Sequence, residues 1–193
     1  RGLGDVYKRQ ELEGETVIVI SMGTIFNQQK ELYHMCIEAL KDFDGKVVMA
    51  VGKSTDPADL GTIPDHFIVR QYIPQLEVLK KADVFVTHGG MNSTNEGLYF
   101  DTPLIVIPMG ADQFFVAGQV ERTGAGIKLD KNELSPAVLQ KTIEEMLENR
   151  SYKDGAANIG RSLRDAGGYQ KAADAVLELA GKKVRRSKNG APR

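Results

Sequence analysis

The chain has no tryptophan, one cysteine and three histidines, and it has no long apolar run. A single cysteine, Cys36, excludes an internal disulfide and fits a reducing compartment, so the cytoplasm is the expected location. Cys36 falls on the apolar stripe of a predicted helix and reads as a core thiol, not a nucleophile. No segment reaches the ~18 apolar residues of a membrane span, and no signal peptide is visible, so no membrane span is expected. An excess of charge of either sign is also missing: 25 Lys and Arg face 26 Asp and Glu, a formal net charge of −1. No general attraction to nucleic acid or to an anionic membrane follows, and no nucleic-acid partner is expected. What remains is ordinary globular composition, 41% hydrophobic and 26% charged over 193 residues. That length suits one domain with tails.

Both ends differ from the middle. Residues 1–10, RGLGDVYKRQ, have no clear period. Residues 1–14 are therefore expected to be a leader foreign to the fold or disordered. Residues 182–193 combine basic side chains with Gly, Ser, Asn and Pro and offer no apolar partner; a solvated, disordered tail is expected. Residues 15–181 form the expected domain. The first residue is Arg rather than Met, which reads as a fragment.

Within that domain strands and helices alternate. Residues 16–22, TVIVISM, are a continuous apolar run of the kind buried on both faces of a parallel sheet. A helix is predicted from about residue 28 to 43, its Leu32, Met35, Cys36, Ala39, Leu40 and Phe43 forming one stripe. Further strands are predicted at 46–51, 67–69, 84–87, 104–108 and 127–129. A short helix near 76–82 and helices at 93–100, 114–122 and 158–166 fill the intervals, with another at 170–180. Ser135-Pro136 reads as an N-cap followed by Pro at the first helical position, opening a helix to about Asn149. The fold class is α/β, a Rossmann-like doubly wound parallel sheet. In such sheets ligands bind beyond the strands' C-terminal ends, where strand order reverses. Residues 21–24, 88–93 and 108–113 all lie just past strand ends, so three polar loops converge on one edge.

The densest chemistry lies at residues 84–96, VFVTHGGMNSTNE. Val84, Phe85 and Val86 suit a short buried strand. Gly89 and Gly90 let the backbone bend sharply and let a ligand approach closely. The following helix start exposes free N–H groups at the positive end of its dipole, a ready anion site. His88, Asn92, Ser93 and Thr94 add side-chain donors, and Glu96 offers a carboxylate to a vicinal diol such as a ribose. Together these groups suit a nucleoside diphosphate held without a dedicated metal site. A plainer reading also fits, because strand–glycine–helix junctions recur in α/β proteins and Ser, Thr and Asn near a helix start often serve only as caps.

In order, the loops spell Ser21-Met-Gly-Thr24, Tyr72-Ile-Pro-Gln75, His88-Gly-Gly-Met-Asn-Ser93 with Glu96, and Pro108-Met-Gly-Ala-Asp-Gln113. This succession resembles the donor-binding, C-terminal half of nucleotide-sugar-dependent glycosyltransferases of the two-domain GT-B type. Bacterial macrolide and flavonoid glucosyltransferases of family 1 are the nearest in pattern, and the resemblance covers about residues 15–180. It implies a UDP-sugar, UDP-glucose by default, as co-substrate, with no metal and no further cofactor. It implies uracil contacts at Gln75 and around Ile73, with Tyr72 stacking on the base. Many relatives carry Trp at that position. The diphosphate contacts implied are Ser21, Gly23, Thr24, His88, Gly90, Asn92 and Ser93. Glu96 would hold the ribose, and Asp112 and Gln113 the sugar hydroxyls. Plainer roles compete at three positions: an edge aromatic for Tyr72, a solvated helix carboxylate for Glu96, and a helix N-cap for Asp112. Met91 stands where plant relatives have Trp, which points to the bacterial branch.

The mechanism the resemblance implies is inverting transfer. An acceptor hydroxyl attacks the anomeric carbon while UDP leaves, and fixed donors meet the charge building on the diphosphate. One such donor is worth ~3–4 kcal/mol at the transition state, so several can stand in for a metal. The family's base is a His near the start of the N-terminal half, oriented by an Asp, and residues 1–15 hold no His. His34 is expected on a helix, exposed or flanking the core, and His66 in a loop. No catalytic residue is therefore expected in this chain, which should bind UDP weakly and transfer no sugar. Its implied partner is a missing N-terminal acceptor domain. The other readings are a stand-alone UDP-sugar-binding subunit paired with a separate acceptor subunit, a GT-B epimerase or hydrolase fragment, and a non-enzymatic α/β domain.

Overall fold

The computed structural model describes residues 12–23 and 29–181, so Thr24, most of the expected leader and the basic tail lie outside the described residues. The elements in chain order are β1 (Val17–Ser21), α1 (Lys30–Ala39), β2 (Lys46–Ala50), β3 (Phe67–Arg70), α2 (Gln75–Leu79), β4 (Val84–Thr87) and α3 (Met91–Tyr99). They continue with β5 (Leu104–Val106), α4 (Gln113–Arg122), β6 (Gly126–Lys128), α5 (Pro136–Glu148), α6 (Ser151–Asp165) and α7 (Gly168–Leu179). The strands form one parallel sheet in the order β3-β2-β1-β4-β5-β6. Each strand pair is parallel, for example Val19 opposite Val48 on one side and Phe85 on the other. The doubly wound parallel sheet expected from the alternation is present.

The apolar run of β1 is explained by its two faces. Side chains alternate across a strand, so Ile18 and Ile20 point one way and Val17 and Val19 the other. The first set joins Val47, Met49, Val84, Val86 and Ile105 under α1 and α5, packed on Leu32, Cys36, Leu139 and Ile143. The second joins Val48, Phe85, Leu104 and Val106 under α2, α3, α4 and α6, packed on Leu79, Leu98, Ala117, Val120 and Ala156. Both β1 faces are closed to solvent, which is why no polar residue interrupts the run. Each fully buried Ile or Val of this kind stabilises the fold by ~1.5–3 kcal/mol. Cys36 is fully buried, and burial pushes its thiol up to about 12, which suits the core role and not a reactive one.

Several boundaries move from their expected places. α1 stops at Ala39 instead of Phe43, because the chain turns there toward Gly45, whose φ of 154° admits glycine. α3 opens at Met91, two residues before the expected Ser93, and its N-cap is Gly90 with no side-chain bond. The cap is made by backbone conformation alone, so the side-chain pattern did not mark it. α6 begins at Ser151 and not Asn158. Its buried residues are Gly155, Ala156 and Gly160, and its first two turns hold Tyr152 as their one large apolar residue, so the period is visible only from Ile159 and Leu163 onward. α5 is as expected: Ser135 Oγ accepts from Val138 N–H at 3.3 Å, and Pro136 is the first helical residue.

α7 stands apart. Gly167 and Gly168 both have positive φ, 84° and 54°, and turn the chain away after α6. Not one α7 residue is buried, and Leu179 is 89% exposed.

Candidate functional site

Strand order reverses between β1 and β4, since β2 and β3 continue on one side and β5 and β6 on the other. At that point the loops beyond adjacent strands part, and a crevice opens at the sheet's C-terminal edge. A cavity of about 480 Å³ lies there, within the range of small-molecule sites. Four strand ends and the first turns of α2 and α3 line it.

The sequence-predicted residues are largely brought together. Ser21 ends β1 and Gly23 follows it, Tyr72 and Ile73 follow β3, and Gln75 opens α2; all line the cavity. His88 and Gly90 from the β4–α3 turn, and Asn92, Ser93 and Glu96 from α3, complete the wall. Thr24 lies outside the described residues. Asp112 and Gln113 are not on the cavity wall. Gln113 is buried, and its side-chain oxygen accepts from Met109 N–H at 2.7 Å and Gly110 N–H at 3.2 Å, holding the β5–α4 loop. Asp112 occupies the N-cap position of α4 without making a side-chain capping bond, and its charge reaches His88. Between them and Gly110 sits Ala111 with φ of 54°, a left-handed conformation that costs a non-glycine residue energy.

His88 is the centre of the anion-facing wall. A Cβ on Gly23 would stand 2.5 Å from His88 Cε1, and one on Gly90 would stand 2.5 Å from Nε2. The imidazole is therefore slotted between two glycines that no other residue can replace without moving it. Gly23 also has φ of 74°, where an L side chain is strained. One shell out, a Cβ on Gly89 would meet Val106 Cγ1 at 2.6 Å, so the turn is seated on β5. Burial lowers the His88 pKa, and Asp112 partly opposes that shift. Thr87 Oγ1 lies 3.4 Å from Nδ1.

Uncapped by any side chain, the first-turn amides of α3 lack carbonyl partners, and the helix dipole adds positive potential there. Further along the same face Glu96 is half-buried, and Gln75 Nε2 donates to its Oε2 at 2.6 Å. The same amide reaches Ser93 Oγ at 3.5 Å. Tyr72, 63% exposed, stands at the cavity mouth with its ring unburied, and so is no half-buried edge aromatic. The wall thus combines anion donors at the α3 start, a carboxylate held by Gln75, and an exposed aromatic ring.

Four lining residues were not among the expected site residues: Ala50, Gly52, Gln71 and Met91. Ala50 ends β2, and Gly52 lies just beyond it, so the strand-end rule applied to β2 would have found them. The two other histidines are elsewhere: His34 is exposed on α1, and His66 Nε2 lies 2.9 Å from the Leu40 carbonyl oxygen. Among the described residues no cluster of His, Cys, Asp and Glu is arranged to hold a metal ion, and no helix is long and apolar enough to cross a membrane.

Comparison with known proteins agrees with this architecture. YojK of Bacillus subtilis (strain 168), whose name is uncharacterized UDP-glucosyltransferase, is 58% identical over 174 residues, covering 90% of this chain and 43% of its own length. The NDP-glycosyltransferase YjiC of the same organism is 39% identical over 175 residues, 89% of this chain and 45% of its own. The chain thus spans less than half the length of these relatives. Among solved structures, the calicheamicin glycosyltransferase CalG4 superposes with a TM-score of 0.86 at 28% identity over 93% of this chain and 46% of its own. The glycotransferase of kitacinnamycin gives 0.80 at 33% identity over 85% of this chain and 43% of its own. Residues 34–167 match the model of the erythromycin biosynthesis protein CIII-like C-terminal domain. The chain belongs to that family of C-terminal domains, and its parallel α/β sheet is the Rossmann-like C-terminal half of a GT-B fold.

Proposed function

We propose that this domain binds a UDP-sugar, UDP-glucose foremost, and supplies the donor half of an inverting, metal-independent glycosyltransferase that acts on a small-molecule hydroxyl. The observation that carries the reading is that one cavity gathers three kinds of chemistry: His88 with the α3 amides, the Glu96 carboxylate and the Tyr72 ring. A nucleotide laid along it puts pyrophosphate on the helix start, ribose on the carboxylate and base on the aromatic ring. The names of the relatives YojK and YjiC, a UDP-glucosyltransferase and an NDP-glycosyltransferase, support the same ligand class.

In this reading charge building on the leaving diphosphate is met by groups already in place: the α3 amides, Ser93 and the slotted His88. Such preorganised donors need no rearrangement during bond breaking. Asp112, at the N-cap of α4, and Gln113, its first residue, are assigned to the sugar hydroxyls of the complete site. The base that takes the acceptor's proton, and the acceptor itself, belong to a partner N-terminal half. His88 is committed to the diphosphate, and His34 and His66 lie away from the cavity.

Calorimetric titration of the chain with UDP tests the proposal. Binding is expected without added divalent metal and unchanged by a chelator, with no sugar transfer from UDP-glucose by the chain alone. Glu96→Ala is expected to weaken UDP about tenfold or more, on the order of 1.4 kcal/mol, with little change in melting temperature. A folded wild-type chain that does not bind UDP at millimolar concentration would refute the reading.

A further inference from the structure

Resting on the donor reading above, we propose that Gln75 is a positioning residue that turns Glu96 into a filter for the ligand's 2′-hydroxyl. The pocket then takes ribonucleoside diphosphates in preference to 2′-deoxyribonucleoside diphosphates. The resemblance to known transferases placed Gln75 on the base. The geometry places its amide nitrogen on Glu96 Oε2 at 2.6 Å, a short bond to a charged acceptor, and 3.5 Å from Ser93 Oγ.

Ser93 and Glu96 are three residues apart on α3 and therefore share a face. Gln75, the first residue of α2, ties both to a second helix. A free glutamate at a helix surface samples several rotamers, and each hydroxyl contact must first fix it. With one oxygen held by Gln75 and the residue half-buried, the carboxylate is set before ligand arrives. Its remaining lone pairs accept only donors. A vicinal diol fills them with two O–H groups; a deoxyribose leaves one lone pair of a partly desolvated carboxylate without a donor. That unmade bond, more than the bond gained, sets the discrimination. A carboxylate also disfavours an anion at its own position, so phosphate cannot slide from the α3 amides toward Glu96. The register of the nucleotide on the wall is thereby fixed.

The experiment is calorimetric titration of the 193-residue chain with UDP and with 2′-deoxy-UDP. Wild type is expected to prefer UDP by about tenfold or more. In Gln75→Leu the preference should fall to about threefold or less, because UDP weakens while 2′-deoxy-UDP changes little. In a Glu96→Gln background, Gln75→Leu should then have almost no further effect on either ligand. Thermal melts of each variant separate loss of fold from loss of positioning. If Gln75→Leu weakens both ligands equally and the ratio survives, Gln75 touches the base and the inference is overturned. A Gln75→Leu effect of full size in the Glu96→Gln background overturns it as well. Should Gln75→Leu fail to fold, Gln75→Asn, one methylene too short for the 2.6 Å bond, must show the same loss of preference. A wild type that binds both nucleotides equally refutes the filter but leaves the donor reading standing. A wild type that binds neither refutes both.

Discussion

His88 sits in a slot walled by Gly23 and Gly90, and its proton affinity follows from that slot. Burial lowers its pKa below the ordinary ~6.5, and the Asp112 carboxylate pulls it partly back. The sign for stability is then fixed. The unfolded chain binds a proton at His88 more readily than the folded one, so His88 favours the folded state above pH ~6.5. That contribution is lost as pH falls from ~6.5 through the lower folded value. Asp112→Asn removes the opposing charge, so the His88 pKa should drop further and the loss extend to more acid pH. With only three histidines in the chain, proton NMR titration of the imidazole signals reads each one directly. A His88 signal that titrates at or above the ordinary value, or that ignores Asp112→Asn, would contradict this account. The residue scale was also where the sequence was most legible. The strand–glycine–helix order around His88 pointed to His88, Gly90, Asn92, Ser93 and Glu96, because a sharp turn and an exposed helix start require those residue types locally; the other expected wall residues came with the family resemblance. What it did not reveal were pairings across the chain. That Gln75 bonds Glu96 depends on how α2 and α3 meet, whereas the return of Gln113 to Met109 and Gly110 is local and depends on the shape of its loop.

At the scale of elements, α6 and α4 offer a controlled comparison of two helical glycines. Gly155 lies where α6 presses on the backbone of Gly124, and a Cβ there would run into the Gly124 carbonyl. Gly118 on α4 faces open space. Gly155→Ala is expected to destabilise by ~1–3 kcal/mol, since the obstructing atoms are backbone and cannot rotate away. Gly118→Ala should stabilise by ~0.5–1 kcal/mol, the ordinary gain for replacing an unhindered helical glycine. Urea denaturation of the two variants checks both signs at once, and equal signs would refute the close α6 contact. The contact has a second fastening: Arg164 of α6 pairs with Asp101 through Nη1–Oδ1 at 2.9 Å and Nη2–Oδ2 at 3.3 Å, and also donates to the Tyr99 carbonyl. Asp101 holds φ of 59° to meet it. The same contact explains why α6 was half hidden in the sequence. Helices α1 and α5 announce themselves by a stripe of large apolar residues, whereas α6 docks through Gly155, Ala156 and Gly160. Close approach of backbones puts small residues at the centre of that face, so only Ile159 and Leu163 farther along announce it. Strands β1 to β5, by contrast, were marked by apolar runs rich in β-branched residues, because both faces of the sheet are covered there; edge strand β6 has Ile127 alone.

At the scale of the whole molecule, the sheet and α1 to α6 form the cooperative unit, and α7 does not belong to it. A single helix of α7's length is marginal in water, since nucleation is costly and helical stability comes mostly from packing an apolar face. α7 has such a face: Tyr169, Ala172, Ala173, Val176, Leu177 and Ala180 follow helical spacing. None of these residues is buried, and the Gly167-Gly168 turn sets the helix off from α6. Its amides should therefore exchange with solvent far faster than those of β1 or β4, whose protection reports global unfolding. Removing residues 168–193 should change the unfolding free energy by less than ~1 kcal/mol and leave UDP affinity within about twofold, because among the described residues no cavity-lining residue lies beyond 167. Hydrogen exchange followed by mass spectrometry, with a denaturant melt of the shortened chain, checks both expectations. Strong protection across residues 168–179, or a cooperative loss of stability on truncation, would mean that α7 packs against the domain after all. Weak protection together with an unchanged melt would place the folding and nucleotide-binding information of this chain before residue 168.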